Sequence, residues 1–283
     1  MNLPIQIKTD WDADLHIHNR WSVDIPNGPK AKDYLKLAEE NKIHIGFLDH
    51  FELKYKNLEL YPHLMKDEYP AWPWKGDKWN KYLDEMDDLK YTYPFVSSGL
   101  EIAYFPDIED EIKDFLHEYG DSFDFFVGSL HEFDAYLPVT QDYTLKTLIK
   151  KYGTFEKVID LFFDMQVRMI KTGLFNAVAH IDTIYRYCGS FIPMKDEFLT
   201  SSYKHYTRKT IELCIEKNIW VEYNLSGRRF PINRPLPPTQ FVKEYLNKGG
   251  KFYVGSDSHS ISTFKRFIPW VKEANNLLRT RSH

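Results

Sequence analysis

Short apolar runs alternate along this chain with longer stretches in which apolar positions recur every three or four residues. The runs 13–18, 43–48, 95–102, 123–128, 177–179, 219–223 and 252–255 read as strands. They do not alternate strictly between polar and apolar, as expected of strands buried on both faces of a parallel sheet. Between them, 30–41, 78–90, 107–118, 154–171, 201–217 and 239–248 predict helices, and a last helix is expected from about Pro269. The clearest stripe is in 154–171, where Phe155, Val158, Ile159, Phe162, Met165 and Met169 fall at helical spacing. Asn27 and Gly28 stand where the first helix needs a cap, with Pro29 where a helix best tolerates proline. Gly249 and Gly250 close 239–248, where a left-handed cap belongs.

Strands separated by helices imply an α/β fold with a parallel sheet or barrel. The segment 51–79 interrupts the rhythm with Tyr, Trp, Pro and Lys, and is expected to be a loop or lid inserted into the domain. There is no repeat, low-complexity tract or linker, so 1–283 is expected to form a single domain.

Composition narrows the partners. Hydrophobic residues make up 43% and charged residues 28%, with a net charge of −4, which offers no broad basic face to nucleic acid or to a membrane. Two cysteines, Cys188 and Cys214, argue against a disulfide framework and for a reducing, cytoplasmic setting. No leader-like run opens the chain, and no apolar stretch approaches the roughly 20 residues that span a bilayer. Nothing in the composition speaks to oligomeric state.

The informative feature is where the metal-ligand side chains fall. The first strand ends in Asp14, His16 and His18, the second in Asp49 and His50, the third in Glu101. His131 follows the fourth, His180 and Asp182 the fifth, Asp257 and His259 the seventh; the sixth leads into Asn224 to Arg229. In a barrel all these ends meet on one face, where active sites of that architecture lie. His16 and His18, two apart on a strand, point to the same side and can share one metal. Any one of these groups alone has a structural explanation, such as a core histidine or a polar turn. Six such coincidences at the same end of successive strands do not. By contrast His44, His63, His117, His205 and His283 lie in a strand interior, helices, a loop or the terminus, and are expected to be structural. Imidazole and carboxylate together suit Zn, Mn or Fe.

The stretches DLHIH (14–18), LDH (48–50), GLEI (99–102), GSLHE (128–132), AHID (179–182), EYNLSGRR (222–229) and GSDSH (255–259) occur in this order. Together they resemble the polymerase-and-histidinol-phosphatase (PHP) superfamily of metal-dependent phosphoesterases. The resemblance implies a distorted (β/α)7 barrel holding two or three divalent ions. His16, His18, Glu101 and Asp257 would hold the first; Glu101 would bridge to a second, completed by His131 and His180; Asp24, His50 and His259 would hold the third. Many relatives carry a histidine where Asp24 stands, and an acid there is characteristic of the histidinol-phosphate phosphatase branch. AHIDTIYRYCG (179–189) also resembles that branch, placing Arg186 after His180.

The expected chemistry is hydrolysis of a small phosphate monoester, L-histidinol phosphate in that branch. Divalent ions neutralise phosphoryl oxygens and make water nucleophilic near neutral pH. Arg186 and Arg229, and less directly Arg228, are the candidate phosphate clamps, because a guanidinium fork suits a phosphate. Glu101, Asp257 and His259 are the candidate catalytic groups. A phosphatase for another small ester is the first alternative. A metal-dependent amidohydrolase is the second, although no lysine stands at a strand end to bridge metals. A binding module with a structural metal would not need so many ligands, and a nuclease would want more positive charge.

Overall fold

The computed structural model describes residues 5, 7, 8, 10–52, 77–133, 137–191 and 204–280. The 51–79 insert therefore lies almost wholly outside the described residues. Its described end, Trp79, is buried within a helix against Phe51, Phe115 and Phe123, so this ring packs the core.

Seven parallel strands form one sheet in chain order: β1 (Asp12–Ile17), β2 (Ile43–Phe51), β3 (Val96–Ala103), β4 (Phe125–Ser129), β5 (Ala177–Val178), β6 (Trp220–Asn224) and β7 (Phe252–Gly255). The connecting helices are α1 (Lys32–Asn41), α2 (Asp77–Thr92), α3 (Glu109–Tyr119), α4 (Asp142–Tyr152), α5 (Phe155–Thr172), α6 (Lys204–Lys217), α7 (Thr239–Leu246) and α8 (Ile261–Arg279). The alternation read from sequence is thus a nearly closed α/β barrel. No described helix is long and apolar enough to cross a membrane.

The core has two layers. Ala13, Leu15, Leu48, Phe125, Val127, Ala177, Ala179 and Tyr253 form one buried cluster. A much larger cluster packs the helices onto the strands. Helix α5 supplies Phe155, Val158, Ile159, Phe162 and Met169 to it, as its stripe predicts. Thr154 caps α5 by accepting from the Lys157 amide at 3.2 Å, and Gly173 ends it in a left-handed conformation at φ 68°.

Three element expectations need correction. Helix α1 begins at Lys32 with no side-chain cap; Gly28 instead closes a turn onto the Ile25 carbonyl at 2.7 Å. Helix α4 is absent from the sequence reading because its buried face is short, built from Thr144, Leu145 and Leu148. Helix α8 starts at Ile261, not Pro269, because Ser260 caps it, accepting from the Thr263 amide at 3.1 Å; Pro269 lies inside the helix.

The barrel closes only at the end that carries the ligands. There the His18 amide donates to the Ser258 carbonyl at 3.0 Å and the Asp257 amide to the His16 carbonyl at 2.8 Å. Further down β1, the amide and carbonyl of Ala13 pair with the side chain of Asn275 on α8, at 3.0 and 2.8 Å. A helix side chain stands in for the missing ladder.

Candidate metal centre

The pairing of β1 with β2 slips between Asp14 and Ile17. Such an irregularity re-aims side chains at a strand end. It leaves the Nε2 atoms of His16 and His18 3.0 Å apart, both rings fully buried. His50 and Glu101 sit opposite each other in the β2–β3 register, and His131 follows β4 in the next segment. His180 and Asp257 both have positive φ, 22° and 54°, unusual for residues other than glycine. Each is held there: the His180 amide donates to Glu222 at 2.7 Å, and Arg229 donates to the Asp257 carbonyl at 3.0 Å.

Glu101 is the hub. Its Oε1 lies 3.1 Å from His131 Nε2 and 3.0 Å from His180 Nε2. Its Oε2 faces His16 Nε2 at 3.2 Å, His50 Nδ1 at 3.2 Å and His18 Nε2 at 3.7 Å. Asp257 approaches His18 Nε2 at 3.4 Å. Asp24 lies 2.9 Å from His259 Nε2 and 3.8 Å from His50 Nε2. Among the described residues, three groups have ligand atoms mutually within 4.8 Å: His16, His18 and Glu101; His50, Glu101 and His131; His18, His50 and His259. All nine residues nominated as ligands from the sequence are therefore brought to one place, with Glu101 between two sets. The floor, at His16, is buried, and the centre opens towards His259 and Asp24, whose side chains are 26% and 41% exposed.

A surrounding layer orients these ligands, and most of it escaped the sequence reading. Glu222, wholly buried on β6, accepts from His16 Nδ1 at 2.6 Å while its other oxygen holds the His180 amide. Its signal was an acid inside a buried strand, quoted in the motif but given no role. Gly255 makes the room: a Cβ there would stand 2.0 Å from Glu222 Oε1 and 2.7 Å from the His16 Cβ. Ser22 Oγ lies 2.9 Å from His18 Nδ1 and accepts from the His50 amide at 2.8 Å. Glu52 Oε1 is 3.8 Å from the Nδ1 atoms of both His50 and His131. Asp14 and Asp49 turn away, accepting from the Ser256 and Asn19 amides. Asp182 pairs with Arg234 at 3.2 Å.

The electrostatics ask for a cation. Burial alone would raise the pKa of Glu101, yet His50, His131 and His16 hold it well below the carboxylate range. Burial opposes charge on His131 too, but Glu101 pulls it up to about 10. His18 is driven down by burial and by His259 and His50. With Nδ1 of His16 donating to Glu222, a neutral His16 ring would present its Nε2 lone pair to a cation beside His18 and Glu101, and buried His50 Nδ1 has no hydrogen-bond partner. Nitrogen and oxygen lone pairs converging in a buried space are the donor set of Zn, Mn or Fe, so these residues fit divalent ions.

The arginines separate. Arg186 is buried, held by Thr183 and lying 4.4 Å over the Phe230 ring, in the field of Asp257, Glu101 and Arg229. Arg229 reaches the same side. Arg228 is not brought to the centre: its guanidinium lies 4.9 Å over Trp270, on the helix side of the sheet. Successive residues of the turn Ser226–Arg229 diverge, which spacing alone could not show.

No protein-family model matches the chain. Over 164 residues it is 27% identical to the histidinol-phosphatase of Bacillus subtilis, a match covering 53% of this chain and 58%, less than two thirds, of that protein. A Listeria monocytogenes structure named for the same activity superposes with a TM-score of 0.74 at 20% identity, over 90% of this chain and 97% of its own. The chain has the fold of the histidinol phosphatases. A Lactococcus lactis histidinol phosphate phosphatase, solved with zinc, L-histidinol and phosphate, gives a TM-score of 0.70 at 19% identity, covering 95% of this chain and 93% of its own. The seven-stranded histidinol-phosphatase barrel expected from the motifs is borne out.

Proposed function

We propose that the protein is a metal-dependent phosphomonoesterase that hydrolyses L-histidinol phosphate to L-histidinol and phosphate. The observation that carries this reading is Glu101, whose two oxygens divide a crowd of histidines into two sets on a face that also bears Arg186 and Arg229. The relatives support the substrate, since the curated one is named for that activity and one neighbour was solved with its product alcohol and phosphate.

His16, His18, Glu101 and Asp257 would hold one ion, Glu101, His131 and His180 a second, and Asp24, His50 and His259 a third. Bound there, such ions neutralise phosphoryl charge and lower the pKa of water. Arg186 and Arg229 bind the non-bridging oxygens and stabilise the charge that gathers on them as water oxygen bonds to phosphorus and the ester P–O bond breaks. Phe230 under Arg186 and the Asp257 carbonyl on Arg229 keep both forks aimed. The alcohol leaves on the open side, towards His259 and Asp24, and takes up the proton that water gives up. Burial of the floor keeps bulk water from the reacting face.

The test is phosphate release from L-histidinol phosphate, beside an aryl phosphate and a sugar phosphate, after reconstitution with Mn or Zn. A large preference for L-histidinol phosphate that chelator abolishes is expected. Chelator-sensitive activity confined to the other esters would remove the substrate and keep the chemistry; metal binding without any esterase activity would return the amidohydrolase reading.

A further inference from the structure

Arg228 has no place in the site described above, and it lines a cavity of its own. This cavity, about 240 Å³, lies on the helix side of β6, between α7 and α8. Tyr223 and Leu225 form its floor, with the Tyr223 hydroxyl tied to Thr239 at 2.6 Å. Trp270 and Leu277 of α8 make an apolar wall. Arg228 lies over Trp270, and Lys243 of α7 lines the same space with Glu273 at the rim. The Nε of Arg228 is buried and has no hydrogen-bond partner.

The volume is below the ~300–1,000 Å³ of drug-sized sites, which restricts an occupant to metabolite size. Two cations against one acid select an anion, and the tryptophan wall favours one with an organic body. We propose that this cavity binds a small organic anion, a carboxylate or a phosphate-type group, with its charge on Arg228 and Lys243 and its body against Trp270 and Leu277. Occupancy reaches the metal centre through the backbone. Arg228 and Arg229 are consecutive in the turn Ser226–Arg229, and Arg229 holds the Asp257 carbonyl. Drawing Arg228 onto a ligand shifts Arg229, so the cavity is an effector site. This coupling, unlike the binding, rests on the function proposed above.

Succinate and methylphosphonate would be titrated calorimetrically into the metal-loaded full chain, as wild type and as the Arg228→Met, Lys243→Met and Arg186→Met variants. Lys243 is exposed, so its variant tests the site even if loss of Arg228 disturbs folding. The expected result is that one of the two anions binds wild type and Arg186→Met alike. Its affinity should fall about tenfold or more in both cavity variants, the scale of one charge-assisted contact. Which anion binds tells carboxylate from phosphate. Binding lost in Arg186→Met but kept in both cavity variants would place the anion at the metal centre and overturn the proposal, as would no binding by either anion. These readouts do not depend on turnover, so they stand whether or not L-histidinol phosphate is the substrate.

Discussion

Glu101 and Glu222 are both buried acids surrounded by imidazole, yet they act at different removes. Glu101 faces the histidines with both oxygens, so Glu101→Gln removes the negative charge between two ligand sets. Metal content and phosphoester turnover should both fall, turnover by on the order of 100-fold or more, since even outer partners of a metal site are typically worth 10–100-fold. Retention of both would sink the assignment of Glu101 as the bridge. Glu222 touches the ring of His16 on its far nitrogen, so Glu222→Gln should weaken metal affinity by about 10–100-fold while leaving the fold intact. Gly255→Ala should reach the same end by steric means, because its Cβ would collide with Glu222 and His16. Metal analysis after dialysis, with circular dichroism as the folding control, checks both. Most of the proposed ligands were legible in sequence because they sit at or just after a strand end, where chain position predicts location; Asp24, in the segment after β1, came from the resemblance alone. Glu222 and Ser22 were not, because a hydrogen bond to the back of a ring depends on side-chain direction across the barrel. The divergence of Arg228 from Arg229 has the same cause.

Among the elements, β2 carries a buried group that titrates away from the metal centre. His44 is 3% exposed, with Nε2 2.7 Å from Ser97 Oγ, and burial together with Lys8 pushes its pKa down to about 4. The native state keeps this ring neutral, whereas the unfolded chain protonates it below about 6.5. Stability from this group is therefore full above about pH 6.5 and is lost as the pH falls towards 4. Urea unfolding in chelator at pH 7 and pH 4.5 should show wild type losing on the order of 2 kcal/mol more than His44→Gln, at 1.36 kcal/mol per pKa unit. Equal losses would mean that His44 is not buried as described. The element pattern itself was readable wherever an apolar run or stripe was long. It failed at α4, whose buried face is short, and at α8, where a proline inside the helix drew attention from the true cap at Ser260.

At the scale of the molecule, the seven strands are legible as an alternation, but how the barrel closes is not. A backbone ladder joins β1 to the segment after β7 around His16, His18, Asp257 and Ser258, Asp14 accepts from the Ser256 amide beside it, and Asn275 covers Ala13 from α8. Nothing local marks Asn275 in the sequence, since its partner lies 262 positions away. Asn275→Leu would leave the amide and carbonyl of Ala13 unpaired, and should cost roughly 1–3 kcal/mol in unfolding free energy. The closed half of the seam is made by the same segments that carry four of the proposed metal ligands, so ions held there and the closure would be mechanically one feature. Ions binding the native state alone stabilise it by mass action, about 4 kcal/mol at a thousand times the dissociation constant. For a domain near this size each kcal/mol is worth roughly 2–4 °C in Tm. Chelation should therefore lower Tm by about 10 °C, with little change in far-UV circular dichroism at room temperature, because the helices and the hydrophobic core do not depend on the centre. In Asn275→Leu, where the uncovered half of the seam is already weakened, the remaining closure rests more on the ions. Chelation should therefore cost that variant more degrees than wild type. Equal losses in the variant and in wild type would show that the two halves of the seam stabilise the barrel independently.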